Sequence, residues 1–184
     1  MAWLILALLI AVSVFTIFLY NALVKKRQMV AEGWSGIDVQ LKRRANLIPN
    51  LVETVKGYTS HENETLTSLT ELRAQVGALP SEDVAARALK ETALSQALGR
   101  LFAVAEAYPD LKASQNFSEL HQSLDDIENA IQMARRYYNG AVRNLNVAVE
   151  SFPSNIIASQ FKFEKAEYFE IEDDADRAVP DVKF

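Results

Sequence analysis

The chain contains no cysteine, and only two histidines, five prolines and six glycines in 184 residues. Without cysteine there is no disulfide framework, no thiol nucleophile and no thiolate metal site. So few glycines and histidines leave little material for phosphate-cradling loops or imidazole-rich metal centres. A di-iron carboxylate bundle, the obvious catalytic use of four helices, needs Glu-x-x-His pairs. Tyr58 and Ser118 stand three residues before His61 and His121, so neither pair exists. His121 shares a helical face with Asp125, and His61 is followed by Glu62 and Glu64. A metal site from these would need ligands converging from different helices, and surface histidines are the plainer reading. No zinc-protease motif is present, and no serine lies in a nucleophile signature. The expectation is a protein that is not an enzyme, with no catalytic residue, no cofactor and no metal.

Charge is missing from one end. Residues 1–24 carry no charged side chain, and Ser13, Thr16 and Asn21 are their only polar ones, although the whole chain is 49% hydrophobic with net charge −5. That average mixes a membrane-type segment with a remainder long enough to bury its own core. From Ala2 to Val24 a helix rises about 35 Å, against roughly 30 Å of bilayer hydrocarbon. Trp3 and Tyr20 stand near its two ends, where amphipathic rings favour the headgroup level. Lys25, Lys26 and Arg27 follow at once, and an excess of basic residues marks the cytoplasmic side. A cleaved signal peptide would place its basic residues before the apolar core and a small-residue site after it. The expectation is a single span in the inner (plasma) membrane, N-terminus out, with residues 25–184 cytoplasmic.

Beyond the span the pattern is helical. Val30, Trp34, Ile37, Leu41, Ala45, Ile48, Val52 and Val55 recur every three or four residues, one face of an α-helix. The spacing predicts a rod continuous with the span, kinked at Pro49 and ended near Gln75 by Gly77 and Pro80. Ser81 offers an N-cap for a second helix over 82–107, which Pro109-Asp110 breaks. A third starts near Asn116 with the seam Phe117, Leu120, Leu124, Ile127, Ile131, Ala134, Tyr138, Ala141, Leu145, Ala148 and Phe152, stopped by Pro153. A short turn of helix fits residues 154–160. Short loops between long helices force antiparallel neighbours. The fold class is therefore all-α, an elongated antiparallel bundle of long, coiled-coil-like helices whose first helix continues the transmembrane helix. Three parts follow: anchor 1–24, helical bundle 25–160, and an aromatic, acidic tail 161–184.

Residues 20–62 read YNALVKKRQMVAEGWSGIDVQLKRRANLIPNLVETVKGYTSHE. With RRYYNGAVRNLNVAVESFPSNIIA in the third helix and the ending FKFEKAEYFE, this resembles the LemA family over nearly the whole chain. The resemblance implies a membrane-anchored antiparallel helical bundle and brings no established catalytic residues. Links to membrane organisation and membrane proteases come with it as expectations. Arg43-Arg44 is followed here by Ala45-Asn46, where the family often carries an acidic residue.

Residues 25–60 carry seven basic and three acidic side chains; residues 61–184 carry twelve and twenty-one. Lys25, Lys26 and Arg27 lie close enough to an anionic leaflet to gain about 1 kcal/mol each. Lys42, Arg43 and Arg44 lie roughly 25–30 Å out on a straight rod, several times the Debye length of about 8 Å. They are expected to pair with another helix or subunit. The polar rows Lys42, Asn46, Asn50, Glu53 and Glu128, Gln132, Arg135, Asn139, Arg143, Asn146 flank the apolar seams. Either they face water or they supply inter-helix or inter-subunit hydrogen bonds. The tail from Glu164 to Asp181 holds eight acids and two bases. It is read either as a solvated end or as a segment whose aromatics, Phe169 among them, dock on the bundle or a neighbour. The candidate interaction residues are thus Lys42, Arg43, Arg44, Asn50, Arg135, Asn139 and Phe169. The expected function is a membrane-anchored helical scaffold that self-assembles as a homo-oligomer. The alternative is an adaptor or regulator of another membrane protein such as a protease. The acidic balance disfavours nucleic acid as a partner.

Overall fold

Uninterrupted apolar sequence followed by a three-and-four apolar stripe is built as one helix, α1, over Ala2–Lys56. The computed structural model describes residues 1–59, 63–80 and 83–170. It continues with α2 (Asn63–Ala78), α3 (Val84–Ala105), α4 (Pro109–Lys112), α5 (Gln115–Glu150) and α6 (Ser154–Gln160). No strand occurs among the described residues, and the fold is all-α.

The expected rod to Gln75 is corrected. The helix runs through Pro49 but stops at Lys56, and α2 is a separate helix. The N–H groups of Gly57, Tyr58 and Thr59 bond back to the carbonyls of Thr54 and Val55. Past Tyr58 the sequence turns polar, so the apolar stripe that would keep a longer helix packed runs out. At α3 the cap is Asp83, whose carboxylate accepts from the Ala86 N–H at 2.9 Å; the expected cap Ser81 lies outside the described residues. In α5 the seam from Phe117 to Ala148 is buried or half-buried. Phe152 is the exception, 79% exposed, because the helix ends before it.

The chain divides into two compact units, Met1–Ile37 with Gln132–Tyr168, and Asp38–Ile131 with Phe169–Phe184. The first begins with a helical stretch long and apolar enough to cross a membrane. Past it, Leu23, Ala158 and Phe163 form a core backed by Tyr20, Val24, Ala148, Val149 and Ile157. In this unit α1 and the second half of α5 pack tightly. A Cβ added at Gly33 would meet the Tyr138 Cα at 3.0 Å. Residues 162–168 return along α5 in irregular conformation. The Asn146 side chain donates to the Ala166 carbonyl at 3.0 Å and accepts from its N–H at 2.9 Å. The Tyr138 hydroxyl donates to the Glu167 carbonyl at 2.8 Å. That answers for one stretch of the tail: it is docked, and two polar side chains of α5 hold its backbone.

The second unit joins the distal part of α1, α2, α3, α4 and the first half of α5 around one apolar core. Ile48, Leu51 and Val55 meet Leu66, Leu69, Leu94, Leu98, Leu101, Phe117 and Leu124 there. Arg73 Nε donates to the Ala45 carbonyl at 3.0 Å, tying α2 back against α1.

Candidate functional site

Two constellations stand out, one in each unit. In the second unit, Arg87, Glu91 and Ser95 follow one another at steps of four on α3 and so share a face. Opposite them α1 supplies Asp38 and Arg44, and α5 supplies Glu128. Arg44 is 2% exposed, and its guanidinium donates to Glu91 at 2.5 Å, Ser95 Oγ at 2.7 Å and Glu128 at 2.8 Å. Arg87 pairs with Asp38 at 3.1 Å, and Lys42 reaches the other Asp38 oxygen at 2.6 Å. Three bases thus meet three acids. Burial pushes the Glu91 carboxyl above its ordinary value, against the opposing pull of Arg44 and Arg87. Arg44 Nε and Glu91 Oε1 are buried without a hydrogen bond. Such a cluster stabilises little against an apolar core but penalises any register that separates its members. It is a lock between three helices.

The first unit carries a groove of about 350 Å³ on α5, lined by Gln132, Arg135, Arg136, Asn139, Gly140, Arg143 and Tyr168. Arg135 donates to Gln132 at 3.4 Å. No carboxylate pairs with Arg135, Arg136 or Arg143 among the described residues. The helical spacing 132, 136, 139, 143 puts these polar groups on one face, and the returning segment adds Tyr168 as a wall. Concave, cationic and hydrogen-bonding, the groove suits an anionic group such as an acidic side chain or a phosphate. It contains no nucleophile paired with a base.

Of the residues singled out in the sequence, the structure brings Arg135 and Asn139 together here. Arg136 and Gly140 were not among them; Arg136 stands four residues after Gln132 and three before Asn139, and Gly140 four after Arg136, which was the available signal. Arg44 pairs with other helices of its own chain, one of the two expected alternatives, and Phe169 is buried at 0% exposed rather than solvated. Acid from α3 and α5 neutralises Arg44. Lys42 and Arg43 are exposed but engaged locally, with Asp38 and with Gln40 at 3.0 Å. Asn50 borders a shallow depression with Thr54, Asn116 and Ser123. At the expected membrane level, Trp3 is 83% exposed and Lys25, Lys26 and Arg27 line the helix just beyond the uncharged stretch. Tyr20 packs edge-on against Phe161 and Phe163, with ring centroids 4.9 and 5.7 Å apart. The Arg27 guanidinium lies 5.0 Å over the Phe163 ring.

Residues 33–184 match the model of the LemA family. The chain is 26% identical to the magnetosome protein MamQ of Magnetospirillum gryphiswaldense over 82% of its own length and 64% of that protein's. It is 26% identical to magnetosome protein MamQ 1 of Paramagnetospirillum magneticum over the same shares. It is also 26% identical to the protein LemA of Metamycoplasma hominis, over 76% of its own length and 64% of that protein's. The chain thus spans less than two thirds of the length of these curated relatives. The match begins past the uncharged stretch and its basic flank and takes in most of the sequence, including the aromatic return segment, and the chain belongs to the LemA family.

Proposed function

We propose that this protein is a membrane-anchored helical scaffold that self-assembles at the bacterial inner membrane, in the service of membrane organisation. One observation carries the reading: α1 is a single helix from the charge-free stretch into the core of the helical domain. An anchor that continues as a packed helix of the domain it holds suits a scaffold at a surface. The protein purified in detergent is expected to run as a large, uniform particle whose helical domains touch one another in electron micrographs. A monomer in both measurements overturns the scaffold.

The arginine groove favours a second reading, an adaptor for another membrane protein that presents an acidic segment. In that case Arg136→Glu with Arg143→Glu abolishes co-purification of the partner and leaves the thermal unfolding of the protein itself within a degree or two. Retention of the partner by the double variant removes this reading.

A further inference from the structure

After the anchor, the longest run without a charged side chain is residues 151–161, SFPSNIIASQF, bounded by Glu150 and Lys162. It forms the turn after α5, helix α6 and the residue that follows. Phe152, Ile156 and Phe161 are 79%, 58% and 51% exposed, although each is large and apolar. Exposed apolar side chains clustered on one small element mark a contact surface.

Its place along α1 says what that surface meets. The Phe161 ring lies 4.9 Å from the Tyr20 ring, and Ala158 shares a core with Leu23. Tyr20 precedes Lys25 by five residues, which is about 7.5 Å of helix axis on the apolar side of the first basic residue. With Lys25 to Arg27 at the level of the lipid phosphates, Phe161 stands below that level, among glycerol and upper acyl groups. Charged groups flank the element: Glu150 is bonded to Lys165 at 2.8 Å, and the Arg27 guanidinium lies over the ring of Phe163, two residues past Phe161.

We propose that the segment from Phe152 to Phe161 is a second membrane contact, an interfacial wedge that enters the same leaflet the anchor leaves. Phe152, Ile156 and Phe161 insert into that leaflet, and α6 lies at its surface as monotopic helices do. The inference rests on the anchor reading above. A wedge beside the span fixes the tilt and rotation of α1 in the bilayer, which a lone helix leaves to its neighbours.

The test uses the full chain, one copy per lipid nanodisc, with phosphatidylcholine brominated at the upper acyl positions. Tryptophan is placed singly, by Phe152→Trp, Ile156→Trp or Phe161→Trp, after Trp3→Phe and Trp34→Phe. Met133→Trp, at a position 57% exposed and further out on α5, is the aqueous control; Trp3 alone reports the anchor. Brominated lipid is expected to quench emission at 152, 156 and 161, which would sit about 5–10 Å deep as interfacial helices do, and to leave 133 unchanged. If Trp3 is quenched while all three wedge positions behave like 133, the wedge is overturned and the anchor stands. If Trp3 is not quenched, the anchor reading itself fails. Quenching at 161 alone also overturns the wedge, since Phe161 would then report only its contact with Tyr20. Shielding of the three positions only when two copies share a disc assigns the patch to a second chain and overturns it as well.

Discussion

Arg44 shows how much one side chain can decide. It is a long charged residue on an apolar stripe, held by two carboxylates and a hydroxyl from α3 and α5. Taking away one member of such a cluster leaves an uncompensated buried charge. Arg44→Met is expected to cost about 3–5 kcal/mol in urea unfolding. The double variant Arg44→Met with Glu91→Leu should recover most of that loss, because Glu128 is 40% exposed and can rehydrate. A double variant as weak as the single one would show that the ion pair stabilises and does not merely select a register. Glu91 adds a pH signature. Its carboxyl titrates above the ordinary 4.5 in the folded protein, chiefly through burial. Between those two values the native state binds more protons than the unfolded one, so this group's contribution to stability falls as pH rises through the window. The melting temperature of Glu91→Gln minus that of the parent should therefore increase across it, and a flat difference would contradict the assignment.

Among the elements, α1 and α5 are the pair whose approach matters most in the first unit. A Cβ at Gly33 would meet the Tyr138 backbone at 3.0 Å, tighter than nine in ten real Cβ contacts, so that backbone must give by a few tenths of an ångström, whereas nothing lies within 4 Å of the site a Cβ would take at Gly36. The two glycines look alike in sequence, each costing a helix up to about 1 kcal/mol against alanine. Gly36→Ala should recover that amount. Gly33→Ala should instead destabilise by about 1–3 kcal/mol, the usual cost of overpacking, read by thermal unfolding of both variants side by side. The return segment depends on the same helix. Burial and the neighbouring Glu167 push the Tyr138 hydroxyl up to about 12, so it stays a donor to the Glu167 carbonyl throughout the physiological range.

At the scale of the whole molecule the question is which side of the bilayer the helical domain occupies. The absence of cysteine makes this directly measurable. Leu89→Cys introduces one thiol at a position 66% exposed on α3. A membrane-impermeant maleimide should fail to label it in intact spheroplasts and label it fully in inverted vesicles. Trp3→Cys should give the opposite pattern. Labelling of Leu89→Cys from outside would reverse the orientation argued from Lys25, Lys26 and Arg27.

What the sequence determined by itself is the part written in local periodicity. The charge-free stretch, the three-and-four stripe of α1 and the seam of α5 each specify a helix and its buried face through residues no more than a turn apart. The all-α class and the buried and half-buried seam positions from Phe117 to Ala148 follow from that alone. The tertiary structure decided whatever needs a partner distant along the chain. Arg44 meets Glu91 and Glu128 across 47 and 84 residues, so its burial could not be told from a solvated charge row. Asn146 is a polar flank residue and Tyr138 a seam residue until Ala166 and Glu167 return to meet them. Arg135 and Asn139 line a groove only because Tyr168 closes one side. The apolar stripe sets which faces are hidden; the pairing of polar groups is settled only when the helices have met, since a charge is stable in water or in a matched pocket and its sequence neighbours do not distinguish the two.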